Sequence, residues 1–180
     1  MVSGCPSSSA TRPPSSQEGQ NGGYGPCIAS HPRIIHGELA ARLELAAGGV
    51  KVTAYSRTVG KYEFPEGVEH FAGDILDQDV LEKAAAGSEV IFHVAAAVHG
   101  SAKDYSEFER MNVRGTENVI RVVRKTGAKL IHVSSVNVEA YRNGDLTDAY
   151  ATTKSKGEEL VVEAASSGLD AVIVRPATVF

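Results

Sequence analysis

The sequence predicts an α/β fold in which helices cover both faces of one doubly wound parallel sheet. From residue 50 onward, short apolar runs alternate with longer segments of helical periodicity. The run at 90–96 is almost continuously apolar, which is typical of a parallel strand that is covered on both faces, and a shorter apolar run at 130–133 is typical of a buried strand. Strands that alternate with helices are joined by right-handed crossovers, so parallel pairing is expected throughout.

Composition limits the class of protein. The chain has 180 residues with 42% hydrophobic content, enough for one core, and a net charge of −4 that offers no basic surface to nucleic acid or anionic lipid. Its two cysteines, Cys5 and Cys27, supply no disulfide framework and fit a reducing compartment. No apolar run approaches the roughly 18 residues of a membrane span, and no secretory signal is present. We therefore expect a cytoplasmic protein that binds neither nucleic acid nor membranes.

The N-terminal part differs in character from the rest. Residues 1–32 are rich in Ser, Pro, Gly and Gln, and such a segment buries too little apolar surface to offset its ordering entropy, so we predict disorder. We assign 33–180 to a single truncated domain. Within it, 37–48 has leucines at helical spacing and glycines suited to a C-cap, and 50–55 is typical of a strand.

The middle of the chain continues this alternation. A short strand is predicted at 69–72 and a helix at 77–86, with Asp77 suited to its N-cap. His93 lies inside the strand at 90–96, where a histidine is most often a satisfied core residue. The remaining histidines show no ligand spacing, so we expect no metal site.

The last third supplies two helices and two strands. Residues 105–125 form a long amphipathic pattern in which Gly115 allows close approach to a neighbour. A strand at 129–134, a helix at 150–165 and a strand at 171–174 follow.

Four polar side chains near the strand at 129–134 suggest chemistry. Ser134 and Ser135 stand at its exit, and Tyr150 and Lys154 are four residues apart, so both project from one helix face. An ammonium one turn away favours phenolate and lowers the pKa of a tyrosine, while a serine hydroxyl can hold a substrate oxygen. Tyr141 is a rival phenol, but no lysine follows it four residues later.

Five stretches occur in a characteristic order: VIFHVAA, MNVRGTENV, HVSSVNV, YATTK and VRPATVF. Over residues 50–180 the chain thereby resembles the extended short-chain dehydrogenase/reductases, also called the NAD-dependent epimerase/dehydratase family. The resemblance implies a Rossmann-type fold in which Tyr150 is the general acid/base, Lys154 lowers its pKa and binds the nicotinamide ribose, and Ser135 orients the substrate oxygen. Asn112 resembles the helix asparagine that supports the lysine and the active-site water.

The resemblance also implies contacts to the cofactor. Asp74 and Ile75 correspond to a pair that lies against the adenine, although Asp74 is equally typical of a turn residue. Ser134 would face the cofactor. The signatures assign further contacts to Gly37, Ala95, Ala96 and Pro176, beside Tyr150 and Lys154.

The residues at the end of the second strand bear on the choice between NAD and NADP. NAD-selective domains place an acid there for the ribose 2′-hydroxyl, whereas this chain has Ser56 followed by Arg57, whose guanidinium suits a 2′-phosphate. We therefore favour NADP over NAD. A solvated surface arginine is the alternative interpretation.

Two features depart from the family pattern. No G-x-G-x-x-G precedes Glu38, where a strand, a glycine turn and a helix N-terminus should bind the pyrophosphate; Gly37 corresponds at most to the last glycine. The sequence also stops at Phe180, before the family's smaller substrate domain. We therefore expect an incomplete sheet, weak dinucleotide binding and marginal stability.

These departures leave several functions open for a small-molecule substrate. Sugar-nucleotide epimerase/dehydratase and carbonyl or hydroxysteroid reductase remain alternatives, as does a nucleotide-binding module without turnover or an inactive gene fragment. A homodimer is compatible with complete relatives.

Overall fold

The computed structural model describes residues 27–29, 50–57 and 68–177. Six strands form one sheet: β1 (Cys27–Ala29), β2 (Val52–Ser56), β3 (Val68–Ala72), β4 (Val90–His93), β5 (Lys129–Val133) and β6 (Ala171–Val174). The helices are α1 (Gln78–Ala85), α2 (Tyr105–Glu109), α3 (Gly115–Thr126), α4 (Asn137–Arg142) and α5 (Ala149–Ser166), with a π turn (Arg110–Arg114) between α2 and α3.

The sheet has the strand order β3-β2-β1-β4-β5-β6. This is the order of a doubly wound dinucleotide-binding sheet. β2 pairs with β3, β4 with β5, and β5 with β6, all in parallel. The predicted fold class is therefore confirmed.

The central strand is where the structure differs from the prediction. β1 pairs antiparallel with both β2 and β4, so that Ile28 lies between Thr53 and Ile91. These residues fall inside the segment 1–32 for which the sequence predicts disorder. The facing edges of β2 and β4 would otherwise hold unpaired backbone N–H and C=O groups, and a short strand of either direction satisfies them.

The direction of β1 decides where the chain leaves the sheet. Ala29 pairs with Val52 and with Val90, the first residues of β2 and β4. β1 therefore ends at the edge where the parallel strands begin. In a parallel arrangement it would end at the opposite edge, where β5 is followed by the two serines.

Most element boundaries follow local signals. Asp77 caps α1 by accepting a hydrogen bond from the Val80 amide at 3.2 Å, and Asp148 caps α5 by accepting from the Ala151 amide at 2.7 Å. α3 ends before Gly127, which adopts a left-handed φ of 72°. The predicted strand at 90–96 ends earlier, at His93, and the chain beyond it is bound at Ala97 by the Asn112 side chain of the π turn. The predicted helix at 37–48, with Gly37, lies outside the described residues.

A π turn interrupts the predicted helix at 105–125. The Gly115 amide bonds to the carbonyl of Arg110, five residues earlier, and this wider turn is centred on Asn112. Gly157 of α5 packs directly against it, since a Cβ there would lie 2.6 Å from the Asn112 carbonyl oxygen. Gly115 lets Ile75 approach α3 in the same way, with its side chain 3.2 Å from the position of a Cβ.

Apolar side chains cover both faces of the sheet. On one face, residues of α1, α3 and α5 pack with strand residues such as Ile91 and Leu130. The other face carries a smaller cluster on three strands: Val52, Ala54, Phe92, Val94 and Val133. Burial on both faces explains why β4 and β5 are almost continuously apolar.

Candidate active site

Lys154 lies at the centre of the candidate site. It projects from α5 toward the sheet, is only 4% exposed, and donates a hydrogen bond of 2.6 Å from Nζ to the Val133 carbonyl at the end of β5. Burial lowers its pKa to about 8, an effect that the charge of Glu158 opposes. An ammonium has three N–H donors, so two remain beyond the bond to Val133.

Tyr150 lies one turn before Lys154 and is half-buried. Its ring centroid is 5.6 Å from that of His99, which follows β4. His99 also lies near the capping carboxylate, with 3.7 Å between its Nε2 and Asp148 Oδ1. The tyrosine ring therefore extends from α5 to the loop after β4, on the same side of the sheet as Lys154.

The two serines have different surroundings. Ser135 is half-buried, and its Oγ accepts a hydrogen bond of 3.2 Å from the Asn137 amide. Ser134 is buried beside Glu158 and helps to hold that carboxylate ionised, although its hydroxyl has no well-directed partner in the described part of the chain. Both serines follow β5, whose last carbonyl binds Lys154.

Asn112 is buried rather than a surface amide. Its Oδ1 accepts from the Ala97 amide at 2.7 Å, and its Nδ2 donates to the Ala97 carbonyl at 3.2 Å and to Thr153 Oγ1 at 3.0 Å. The side chain thus joins the loop after β4 to the residue that precedes Lys154. No direct contact joins Asn112 to Lys154, and its link to α5 is the bond to Thr153.

Two buried histidines lie beneath the lysine. His93 and His132 are paired in register on β4 and β5, with ring centroids 5.1 Å apart. Thr116 Oγ1 donates to the Asn112 carbonyl, so His93 Nε2 donates in turn to Thr116 over 2.8 Å. Burial, aided by the charge of Lys154, lowers the pKa of His93 to about 3 and that of His132 well below its ordinary value.

The expectation for His93 is therefore met only in part. Its Nδ1 and both ring nitrogens of His132 are buried without a hydrogen-bond partner among the described residues. No group of three or more candidate metal ligands occurs in the same residues.

A charge network that the sequence analysis missed lies behind the serines. Glu158, which is fully buried, accepts from Arg175 Nε at 2.9 Å and Nη2 at 2.5 Å, and pairs with Arg142 at 2.9 Å. Burial acts to raise the pKa of Glu158, but the hydrogen bonds from Arg175 and the charges of both arginines outweigh it and lower the pKa to about 2. The available signal was the spacing of Glu158, four residues after Lys154 on the buried face.

The residues assigned to the adenosine end of the cofactor differ in burial and in their hydrogen-bond partners. The Asp74 carboxylate accepts from the Leu76 amide at 3.0 Å, which is a turn interaction, and Ile75 is only 1% exposed against α3. Ser56 bonds to His70 at 2.8 Å, and Arg57 is exposed. The remaining assigned residues are two buried alanines and a half-buried proline at the strand ends: Ala95, Ala96 and Pro176.

The burial and hydrogen bonds of these residues indicate which parts of a nicotinamide dinucleotide they could hold. The nicotinamide-ribose end finds suitable donors at the exit of β5, where Lys154 has N–H groups beyond its backbone bond and Ser134 lies alongside. The described residues offer no site for the pyrophosphate end, because β1 ends at the opposite edge of the sheet, and the sequence has no G-x-G-x-x-G before Glu38. The described residues thus fit one half of the cofactor.

Comparison with known proteins gives consistent matches. The model of the "NAD dependent epimerase/dehydratase family" matches residues 37–180. The chain is 34% identical over 131 residues to the Arabidopsis thaliana 3beta-hydroxysteroid-dehydrogenase/decarboxylase isoform 2, covering 63% of this chain and 22% of that protein. It is 31% identical over 147 residues to a Stigmatella aurantiaca 4-hydroxy-2-methyl-3-oxo-4-farnesyl-3,4-dihydroquinoline-1-oxide ketoreductase, covering 73% of this chain and 44% of that protein.

Solved structures agree with the fold. A monomeric L-threonine 3-dehydrogenase from a metagenome matches with a TM-score of 0.63 and 26% identity, over 78% of this chain and 50% of that one. The chain therefore spans half or less of the length of these proteins. In the described residues, no helix is long and apolar enough to cross a membrane.

Proposed function

Because the chain belongs to the NAD-dependent epimerase/dehydratase family, we propose that it carries the acid/base half of an NAD(P)-dependent oxidoreductase. The proposed reaction interconverts a hydroxyl and a carbonyl group on a small substrate. The observation that carries the proposal is the bond from Lys154 to the Val133 carbonyl, which brings the helix with Tyr150 against the strand exit with Ser135. The relatives of at least 30% identity named above are a hydroxysteroid dehydrogenase and a ketoreductase, which favours this chemistry over sugar-nucleotide epimerisation.

Each side chain has a defined role in this proposal. In the direction of oxidation, Tyr150 accepts the hydroxyl proton of the substrate while Ser135 holds the same oxygen by a hydrogen bond. Lys154 favours the phenolate form of Tyr150 by its charge and donates to the ribose hydroxyls. The nicotinamide, when bound, supplies the hydride acceptor.

The first test concerns the tyrosine. In a chimera with the glycine-rich first strand of a matched relative before Glu38 and that relative's segment after Phe180, we expect Tyr150→Phe to abolish turnover and leave cofactor affinity nearly unchanged. The phenol acts only in proton transfer, so its loss affects the reaction and not binding. NADPH oxidation at 340 nm with a 3-ketosteroid and with a β-keto ester measures turnover, and calorimetry measures affinity. Tyr141→Phe is the matched control, and equal rates in the wild-type and Tyr150→Phe chimeras would refute the role.

The second test concerns cofactor preference. We propose that Arg57 favours NADP, since it is exposed at the end of β2 and no acid occupies the position before it. Calorimetric titration of the chimera is expected to give tighter binding of NADPH than of NADH. Arg57→Ala is expected to weaken only NADPH binding, whereas Lys51→Ala, at the other end of β2, leaves both affinities unchanged. Tighter binding of NADH would contradict the proposal.

A second candidate function is supported by the direction of β1. Because β1 ends at the wrong edge for a pyrophosphate site, the chain is also compatible with a module that contacts a nucleotide weakly and does not turn over. Titration of the 180-residue chain itself separates the two. Tight dinucleotide binding would refute this alternative and the expectation of a defective pyrophosphate site.

A further inference from the structure

Four charged side chains outside the Tyr–Lys–Ser set form one network. Glu158 of α5 binds Arg175, which follows β6, through two hydrogen bonds of 2.9 and 2.5 Å. The third nitrogen of Arg175, Nη1, donates to Glu139 of α4 at 2.7 Å, and Arg142 of α4 pairs with Glu158 at 2.9 Å. The network therefore connects α4, α5 and the exit of β6.

The charges within the network cancel. Its two carboxylates offset its two guanidiniums, and Glu158 has no exposed surface. A cavity of about 390 Å³ opens beside it, lined by Val136, Glu139, Ile173 and Arg175. All three nitrogens of the Arg175 guanidinium already bind carboxylate oxygens, so no surplus positive charge faces this cavity. The contacts of the network therefore serve the protein itself rather than an anionic ligand.

Both ends of the network lie next to proposed reacting groups. α4 begins at Asn137, whose amide donates to Ser135 Oγ at 3.2 Å, so the orientation of α4 determines the surroundings of this hydroxyl. On the other side, Glu158 is one helical turn after Lys154, and the two side chains share a face of α5. Glu158 thus links α4, which begins next to Ser135, to the part of α5 that carries Lys154.

We propose that Glu158 is a positioning residue that holds α4, and with it Ser135, against the turn of α5 that carries Lys154. The inference rests on the roles given to Ser135 and Lys154 in the proposed function. Glu158 contacts neither substrate nor cofactor in this arrangement and acts through Arg142 and Arg175. Its buried carboxylate is a strong anchor, because removing one partner from a buried ionic cluster leaves an uncompensated charge.

The same carboxylate acts on the charge of Lys154. His93 faces the lysine from β4, His132 from β5, and Tyr150 lies one turn earlier on α5. The histidines are neutral, so among these groups Glu158 provides the negative charge that opposes the lowering of the Lys154 pKa by burial. Loss of the Glu158 charge is therefore expected to lower the pKa of Lys154 further.

Three variants of the 180-residue chain separate these effects. Glu158→Gln removes the charge and keeps the shape. Arg142→Gln loosens α4 but leaves Glu158 charged and held by Arg175. Glu82→Gln is the matched control, since Glu82 also pairs with a lysine, Lys125, but between α1 and α3.

Two measurements need neither cofactor nor substrate. Amide hydrogen exchange of Asn137 reports on the Ser135 loop, and the NMR titration of lysine labelled with 13C at Cε, assigned with Lys154→Met, reports the pKa of Lys154. We expect several-fold faster exchange of Asn137 in Glu158→Gln and in Arg142→Gln. We expect the pKa of Lys154 to fall by about one unit in Glu158→Gln and not to fall in Arg142→Gln. Glu82→Gln should change neither quantity.

Unchanged Asn137 exchange in folded Glu158→Gln would overturn the proposal. If Glu158→Gln does not fold, Arg142→Gln decides it, and unchanged exchange there overturns it equally. Because both readouts are independent of dinucleotide binding, they stand even if the proposed function fails.

Discussion

At the residue scale, the candidate site combines a buried side chain that is charged at neutral pH with buried side chains that are neutral. Lys154 stays protonated at neutral pH although burial lowers its pKa to about 8, whereas His93 and His132 stay neutral. Three ring nitrogens of the histidines lack partners among the described residues, and each such group costs free energy on folding. The buried histidines therefore lower the stability of the fold, as expected where function and folding compete.

The histidines predict how stability depends on pH. An unfolded histidine has a pKa near 6.5, while the pKa of folded His93 is about 3 and that of His132 is also well below 6.5. Below pH 6.5 the unfolded state binds protons that the folded state does not, so the free energy of unfolding falls as the pH is lowered from 6.5 toward 3. At pH 5 the loss from His93 alone approaches about 2 kcal/mol, and His132 acts in the same direction. Urea unfolding at pH 7 and pH 5 measures it.

His132→Leu provides the test of this assignment. Replacing the unpartnered ring by an apolar side chain is expected to reduce the loss of stability between pH 7 and pH 5. His99→Gln, at an exposed position, serves as the control and should retain the full loss. The assignment fails if His132→Leu has the pH dependence of the wild-type chain.

At the element scale, the contact between the π turn and α5 determines where Lys154 lies. Gly157 allows the helix to approach the Asn112 carbonyl, and the Asn112 side chain bonds to Thr153 in the preceding turn. These two contacts fix the height of α5 over the sheet. Lys154 can then reach the Val133 carbonyl with its ammonium.

Gly157→Ala tests this close approach. Alanine normally stabilises a helix relative to glycine by about 0.5–1 kcal/mol, but here its Cβ would lie 2.6 Å from a backbone oxygen that cannot move without shifting the π turn. We expect a net destabilisation of about 1–3 kcal/mol, as in other overpacked cores. Urea unfolding measures it. Gly115→Ala, whose Cβ meets a movable Ile75 side chain at 3.2 Å, should cost less, and a stabilising Gly157→Ala would contradict the packing.

At the scale of the whole molecule, three residues close the sheet. β1 occupies the position between β2 and β4, and the two halves of the sheet meet there. Such a short strand supplies few backbone hydrogen bonds, so we expect marginal stability for the 180-residue chain. Its direction also means that β1 closes the sheet without bringing its own end to the edge where the candidate site lies.

Ile28→Pro tests the contribution of β1. Proline removes the amide from the middle residue of this strand, which lies between Thr53 and Ile91, so a clear loss of stability is expected. Ile28→Ala keeps the amide and is the control for the side chain. Thermal unfolding followed by circular dichroism compares the two. Equal melting temperatures for Ile28→Pro and Ile28→Ala would show that backbone pairing of β1 contributes nothing.

From residue 50 onward the sequence by itself determined the type and order of the strands and of the longer helices, but it predicted neither α4 nor the π turn. The apolar run at 130–133 and the four-residue spacing of Tyr150 and Lys154 are local patterns, and such patterns encode strands and helix faces directly. The common edge of the candidate residues also follows, because the carboxyl ends of parallel strands lie together. The glycine within the helical pattern at 105–125 also predicted a close approach to a neighbour at Gly115, which the contact with Ile75 confirms.

Only the tertiary structure decided how distant segments meet. The antiparallel pairing of β1 with β2 and β4 joins segments far apart in the sequence, and a three-residue segment carries no periodicity that reveals it. The π turn packs against Gly157 of α5, and the pairing of Glu158 with Arg175 joins residues 17 positions apart. These features depend on contacts between segments that are distant in the sequence, so no local pattern specifies them.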